Sequence, residues 1–425
     1  MGVRRVIGPL RRVTEVARPR VVGPITAGHG VNEFFAIVVP PIIPLLVADF
    51  GISYGQAGFL LTVFFAMYVL FQLPAGALAD RIGKRRLLIG GLFGMAAGVA
   101  LAATATTYGT LVVAQTIAGI AGATFHPTGM AIVSDVENER TEGKAMGVFG
   151  FGGALGTLSA PLVVGGLAAL FGWRVALAGA VALGTLVTLA IVPSLSDGGE
   201  GDDGGRETTL SDGGREFSLG GALRSVRATV AVPVTRGVVV LFLVTLVLSL
   251  QHRAIQTFTT AYVGGAAGGS VSVGNLAFFT LLLGGSVASL WAGDLADRFD
   301  RRLLGIGAAL ATAGLVATTL VLTDLLGGLP SVGLIAVLAV WFSLIGVGMY
   351  ASYPVKNALV SEQADAAYSG SLFGVIQTAS AVGSASGPAI VGVLSDRWGV
   401  AAAFPAIAAA SLLLAVLFAV LLVGE

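Results

Sequence analysis

The stretch HGVNEFF places His29, Asn32 and Glu33 at i, i+3 and i+4 inside an apolar run. On a helix these three side chains share one face, and an acid beside an imidazole can pass a proton. A second imidazole, His126, stands in GATFHPTGMAIV (122–133), and Glu33 is the one carboxylate well inside an apolar run. Two other apolar runs carry bases and phenols. QHRAIQTF (251–258) clusters His252, Arg253 and Gln256, and MYASYPVKN (349–357) spaces Tyr350, Tyr353 and Lys356 at i, i+3 and i+6. The acid with two imidazoles suits proton exchange. The remaining set, with Asn32, suits a small molecule that has an anionic or polar end and an aromatic or apolar body. Plainer roles stand beside these: His126 bonding carbonyls freed by Pro127, Glu33 in a fixed pair with His29 or Arg253, Lys356 reaching out to headgroups, His252 joining helices. The three histidines and Glu33 are spread over three separate runs and the chain has no Cys, so neither a metal site nor another cofactor is expected.

What positions these residues must be helices in lipid. The chain of 425 residues is 55% hydrophobic and only 11% charged, with a mean hydropathy of +0.91, against about 25% charged residues in soluble domains. A hydrocarbon core of about 30 Å needs about 20 apolar residues per helix. Twelve such runs lie near 26–48, 57–79, 87–107, 109–134, 143–170, 174–193, 237–262, 272–296, 303–324, 332–360, 370–394 and 400–423. They are too long, and alternate too little, for a membrane barrel. The fold class expected is all-α and integral to the membrane, with twelve transmembrane helices in two six-helix halves. Residues 1–23 read as an Arg-rich cytoplasmic arm, 24–193 as the first bundle and 237–425 as the second. Between them, 194–236 is a cytoplasmic linker whose first part, SLSDGGEGDDGGRETTLSDGGRE, has almost nothing to bury. A net charge of +1 gives no basis for a nucleic-acid partner; the partners expected are a small-molecule substrate, protons and the lipid bilayer, with the chain acting as a monomer.

Orientation follows from counting. With the N-terminus inside, 20 of the 24 Lys and Arg residues fall on one side. The positive-inside rule then puts both ends in the cytoplasm, across the cell membrane.

The charged loop GALADRIGKRR (76–86) returns 217 positions later as GDLADRFDRR (293–302). A shift of 227 aligns later pairs, among them Pro127 with Pro354, Gly156 with Gly383, Pro161 with Pro388 and Gly172 with Gly399. The ordered series indicates two homologous halves of the same membrane orientation, the construction of many transporters. GALADRIGKRR resembles the signature loop between helices 2 and 3 of the major facilitator superfamily, and GDLADRFDRR its weaker copy between helices 8 and 9. Within that superfamily, residues 28–46, 51–76 and 122–133 are similar to the fosmidomycin-resistance-type efflux proteins.

The resemblance implies a gate at Gly76, Asp80, Arg81, Lys84, Arg85, Gly293, Asp297, Arg298 and Arg301, and a central cavity lined by helices 1, 4, 7 and 10. In it Glu33, His29 and His126 are the proton-coupling candidates and Asn32, Arg253, Gln256, Tyr350, Tyr353 and Lys356 the substrate candidates. Pro127, Pro161, Pro354 and Pro388 are expected to bend their helices. GTLSAPLVVGG (156–166) is similar to the family's antiporter signature but has Ala160 where Gly precedes the proline. The function so implied is alternating-access transport of a small organic molecule, read as proton-coupled efflux. Uptake of a small organic anion by symport, with Arg253 and Lys356 as clamps, is the rival, and a membrane sensor that does not transport is the rival of another class. No nucleophile–base pair or phosphate-binding motif points to an enzyme.

Overall fold

Lipid offers the backbone no hydrogen-bond partners, so apolar runs of this length must fold as helices. The computed structural model describes residues 16–138, 140–196, 233–267, 269–326, 330–364 and 369–423, which leaves most of the expected arm and linker outside the described residues. Among the described residues, eleven helices are long and apolar enough to cross a membrane: Pro19–Phe50, Tyr54–Ile82, Lys84–Ala103, Tyr108–Val136, Glu142–Phe171, Trp173–Leu195, Arg236–Gly265, Val271–Arg298, Arg301–Leu322, Ser331–Glu362 and Val400–Val423. Ser369–Trp398 adds a twelfth of sufficient length, 30 residues, richer in Ser than the rest. In chain order these are spans 1 to 12, with Ser369–Trp398 as span 11. Each expected run overlaps one of them, the run 87–107 overshooting its helix by four residues, and the described residues contain no strand. The chain is the all-α, twelve-span membrane protein expected.

Prolines shape three spans. Span 1 is helical over Pro19–Ala36, tightens to a 3₁₀ turn at Pro40–Ile42 and resumes over Ile43–Phe50. Span 4 is interrupted between Gly122 and Phe125. Pro127 lies four residues past Ala123, cannot donate to its carbonyl and crowds it with its ring. In span 12 the interruption follows Pro405. Pro161, Pro354 and Pro388 sit inside helices that continue unbroken. Of the four expected bends, only Pro127 stands at a break.

The repeat is legible in the backbone. Gly172, between spans 5 and 6, and Gly399, between spans 11 and 12, both turn the chain with positive φ, 83° and 79°. A β-carbon makes that conformation costly.

The chain packs as two compact units. The first comprises Met1–Ile37, Met67–Ala160 and Leu177–Leu223; the second comprises Val38–Ala66, Pro161–Ala176 and Arg224–Glu425. Helices in lipid associate by close van der Waals packing, which favours small residues at contacts. In the first unit, a Cβ on Gly156 would lie 2.0 Å from the Gly30 carbonyl oxygen, and one on Gly152 2.3 Å from that of Thr26. Span 5 thus lies backbone-to-backbone on span 1. In the second unit, Gly383 and Gly387 meet the carbonyls of Leu246 and Leu250 at 2.2 and 2.3 Å in the same sense, so span 11 lies on span 7 in the same way.

The second unit also gathers two segments from the first half of the chain, and Val38–Ala66 is tied to the second half by hydrogen bonds. Asp396, at the end of span 11, accepts from Ser53 Oγ at 2.7 Å and from the Gly55 N–H at 3.0 Å. Its carboxylate sits where the positive end of span 2 is exposed. Thr62 Oγ1 donates to the Ala385 carbonyl at 2.6 Å, and Asn275 Nδ2 to that of Pro41 at 3.1 Å.

Candidate functional site

One glycine and a phenylalanine place His29. Its ring stacks on Phe149 with centroids 4.0 Å apart, and Nδ1 lies 2.8 Å from the Phe149 carbonyl oxygen. A carbonyl only accepts, so Nδ1 carries the hydrogen and Nε2 is the bare nitrogen of the neutral ring. Gly153 makes room: a Cβ there would come within 2.5 Å of His29 Cε1. Nε2 is buried, has no hydrogen-bond partner and points toward Glu33, 3.8 Å from Oε1.

His126 reaches the same carboxylate from span 4. Its Nε2 is 3.9 Å from Glu33 Oε1 and its Nδ1 is 2.5 Å from Tyr68 Oη. Tyr68 donates to Asn32 Oδ1 at 3.1 Å. With its one hydrogen so used, the phenol oxygen accepts from His126 Nδ1, and Nε2 is again the bare nitrogen. Three acceptors therefore converge on one spot: two imidazole lone pairs and a carboxylate. A proton taken up there can be shared between the imidazoles and the carboxylate. Water can reach it, since the Glu33 and His126 side chains keep 23% and 31% of their exposure.

His29, Glu33 and His126 each offer one donor atom within 4.8 Å of the others, so they also have the composition of a metal-binding set. Zinc–ligand bonds of about 2.0–2.1 Å require donors roughly 3.4 Å apart in a tetrahedron. The observed separations are wider and fit a shared proton or water better. Of the three runs that carry the histidines, those of spans 1 and 4 meet here, as the family's arrangement of helices implied, and the run of His252 does not join them.

Asn32 has a different place from the one expected. It has no accessible surface; Nδ2 donates to Met95 Sδ at 3.2 Å and to the Gly122 carbonyl at 3.3 Å, while Oδ1 takes the Tyr68 hydrogen. It ties span 1 to spans 2, 3 and 4 rather than lining a cavity. Tyr68, absent from the sequence reading, connects this tie to His126. Tyr68→Phe is expected to lower stability by about 1–2 kcal/mol and to free the His126 ring to rotate. A fall in the thermal midpoint with weakened proton coupling is the expected result, and an unchanged pH profile would remove Tyr68 from the site.

The other candidates gather in the second unit. Arg253 Nη1 donates to Gln256 Oε1 at 2.9 Å, Gln256 Nε2 donates to Tyr350 Oη at 3.0 Å, and the Arg253 guanidinium stands 4.2 Å from the centroid of the Phe65 ring. His252 packs on both phenols, its centroid 4.6 Å from Tyr350 and 5.1 Å from Tyr353. A cavity of about 250 Å³ is lined by His252, Arg253, Tyr350, Tyr353, Ser380 and Ser384. Gln256 is buried behind this lining. Lys356 is buried rather than reaching to headgroups, its ammonium 5.8 Å from the Tyr353 centroid. The cavity offers a guanidinium, an imidazole, hydroxyls and aromatic faces.

The repeated loops are braced within their own halves. Lys84 pairs with Asp135 at 2.5 Å, and Arg301, its counterpart 217 positions on, pairs with Glu362. Asp135 and Glu362 are themselves 227 apart, so one ion pair occurs twice. Arg301 also approaches Asp297 at 3.7 Å, and Arg85 donates to the Leu195 carbonyl at 3.1 Å. Asp80, Arg81 and Arg298 are exposed, and among the described residues Asp80 pairs with no cation. Gly76 and Gly293 have open space where a Cβ would stand, so in this conformation close packing demands neither.

Fold, repeat and buried ionisable clusters define a membrane transporter, not an enzyme. The family model of the Major Facilitator Superfamily matches residues 25–274 and 241–425, and the chain belongs to that superfamily. It is 26% identical over 378 residues to the multidrug resistance protein MdtG of Proteus mirabilis, covering 86% of this chain and 87% of that protein. It is 23% identical over 305 residues to the fosmidomycin resistance protein of Escherichia coli, covering 69% of each. Among solved structures, a bacterial homologue of the human lysosomal transporter Spinster, inward-facing and unoccupied, superposes with a TM-score of 0.76 at 16% identity. That match covers 94% of this chain and 96% of that one and supports the fold.

Proposed function

We propose that this transporter exports a small organic molecule in exchange for protons, with Glu33, His29 and His126 as the group that takes up and releases the proton. The observation that carries the reading is the convergence of two imidazole nitrogens on one carboxylate, at 3.8 and 3.9 Å, a spot where a proton can be shared. One charge moving through 100 mV is worth about 2.3 kcal/mol, which sustains roughly 50-fold accumulation. The cavity at Arg253, with Tyr350, Tyr353, Gln256 and Lys356 around or behind it, is the substrate subsite and suits a molecule with an anionic or polar group on an aromatic or apolar body. MdtG and the fosmidomycin resistance protein, named for resistance, support efflux. In this reading the chain works as a monomer in the cell membrane, with the basic loops and both termini on the cytoplasmic side. Asp80 with Arg81, and their copies Asp297 and Arg298, engage partners when the basic side closes.

The buried bases in the second half also favour a second reading, uptake of an organic anion by symport. Purified protein in sealed vesicles, under imposed pH gradients of both signs, separates the two. Efflux by antiport requires accumulation against an outward proton gradient, and symport requires the inverse. Movement indifferent to both gradients would overturn proton coupling altogether.

A further inference from the structure

The first turns of spans 1 and 7 hold equivalent places in the two repeats. Arg18 and Thr235, the residues just ahead of them, are 217 apart. In the first repeat an anion of the chain itself occupies the place. Glu137 is buried; it accepts from the N–H groups of Ala17 and Arg18, both at 2.9 Å. Burial works to raise its pKa, but hydrogen bonds from Thr141, Ala17 and Arg18 outweigh this and hold the carboxyl below its usual range. A carboxylate at this spot is therefore welcome as a charge.

The second repeat lacks that carboxylate. The residue 227 positions after Glu137 is Ala364. Beside the first turn of span 7 lies instead a cavity of about 280 Å³. Its polar wall is Thr235, Arg236, Arg302 and Gln363, with Glu362, which Arg301 and Arg302 already engage. Its other wall is apolar, including Val240, Leu241 and Leu421. Arg302 is the counterpart of Arg85, whose guanidinium is turned to a backbone carbonyl in the first repeat.

We propose that this cavity binds the phosphate of an anionic phospholipid headgroup, which stands in for the carboxylate that Glu137 supplies in the other half. Two guanidiniums give the charge. The site is bounded by the starts of spans 7 and 9 and the ends of spans 10 and 12, the depth at which headgroups lie, and the apolar wall receives the first carbons of an acyl chain. Basic pockets between membrane helices are recognised sites for such headgroups.

The test uses the full chain in detergent, with phosphatidylglycerol and phosphatidylcholine of identical acyl chains, read by native mass spectrometry and by thermal midpoint. Phosphatidylglycerol should bind with a preference of about ten-fold or more, since each basic residue near a membrane surface is worth about five-fold. Arg236→Gln should cut that preference by about five-fold. Ala364→Glu, which gives the second repeat its own anion and leaves both arginines in place, should abolish it; the midpoint in phosphatidylcholine reports whether either variant is folded. Retention of the full preference in both variants would overturn the proposal. So would reproduction of the stabilisation by inorganic phosphate alone, which would make this a free-anion site.

Discussion

Glu33→Gln is expected to abolish proton-driven accumulation while leaving substrate exchange between the two sides of a vesicle intact. The amide nearly matches the carboxyl in shape and presents a permanent donor to the imidazole nitrogens 3.8 and 3.9 Å away. It therefore imitates the proton-loaded cluster and cannot unload. Packing around His29, set by Phe149 and Gly153, is untouched, so the protein should still fold and rock. A gradient of about 100 mV that sustains roughly 50-fold accumulation in the parent should sustain none in the variant. Counterflow of labelled substrate down its own gradient should continue at near-parental rate. Accumulation at the parental level by Glu33→Gln would assign the proton to another group.

That cluster was half legible in the sequence. His29 and Glu33 stand one helical turn apart, so their meeting follows from periodicity alone. The approach of His126 needed the family's arrangement of helices, because nothing local to span 4 points it at span 1. Tyr68 escaped because a tyrosine in FFAMYVLF looks like any aromatic of an apolar helix; its role depends on the rotation of span 2 against spans 1 and 4. Asn32 was misplaced for the opposite reason. A polar side chain on the face of Glu33 suggests a cavity, yet the carbonyl of Gly122 and the sulfur of Met95 were close enough to satisfy it. The doubled pair Lys84–Asp135 and Arg301–Glu362 was within reach, since the two shifts that align the halves also align these four residues. Among the prolines, the sequence marks where a backbone hydrogen bond is lost. Whether the helix then breaks, as near Pro127, or continues, as at Pro161, depends on what packs against it.

The glycines show the same limit more sharply, and they carry the second large prediction. Gly156→Val should prevent stable assembly of the first bundle, whereas Gly150→Ala, six residues earlier on the same span, should be tolerated. Composition cannot tell these two positions apart, but distance does. At Gly150 a Cβ meets nothing within 4 Å, and at Gly156 it would stand 2.0 Å from the Gly30 oxygen and 2.8 Å from its Cα. Those atoms are backbone of a neighbouring helix, so no rotamer change relieves the clash and spans 1 and 5 must part. Overpacking of ordinary cores costs about 1–3 kcal/mol, and a backbone-to-backbone contact belongs at or beyond the upper end. Alanine at Gly150 should gain up to about 1 kcal/mol of helix propensity. Separation of the spans would also withdraw Phe149 from His29, so any Gly156→Val protein that survives purification should have lost proton coupling before it has lost substrate binding. Thermal midpoints of the two variants against the parent, with pH-driven and exchange fluxes measured on the same preparations, test both halves of the argument. A Gly156→Val midpoint within a degree or two of the parent's would show that the two backbones are not in contact in the folded protein.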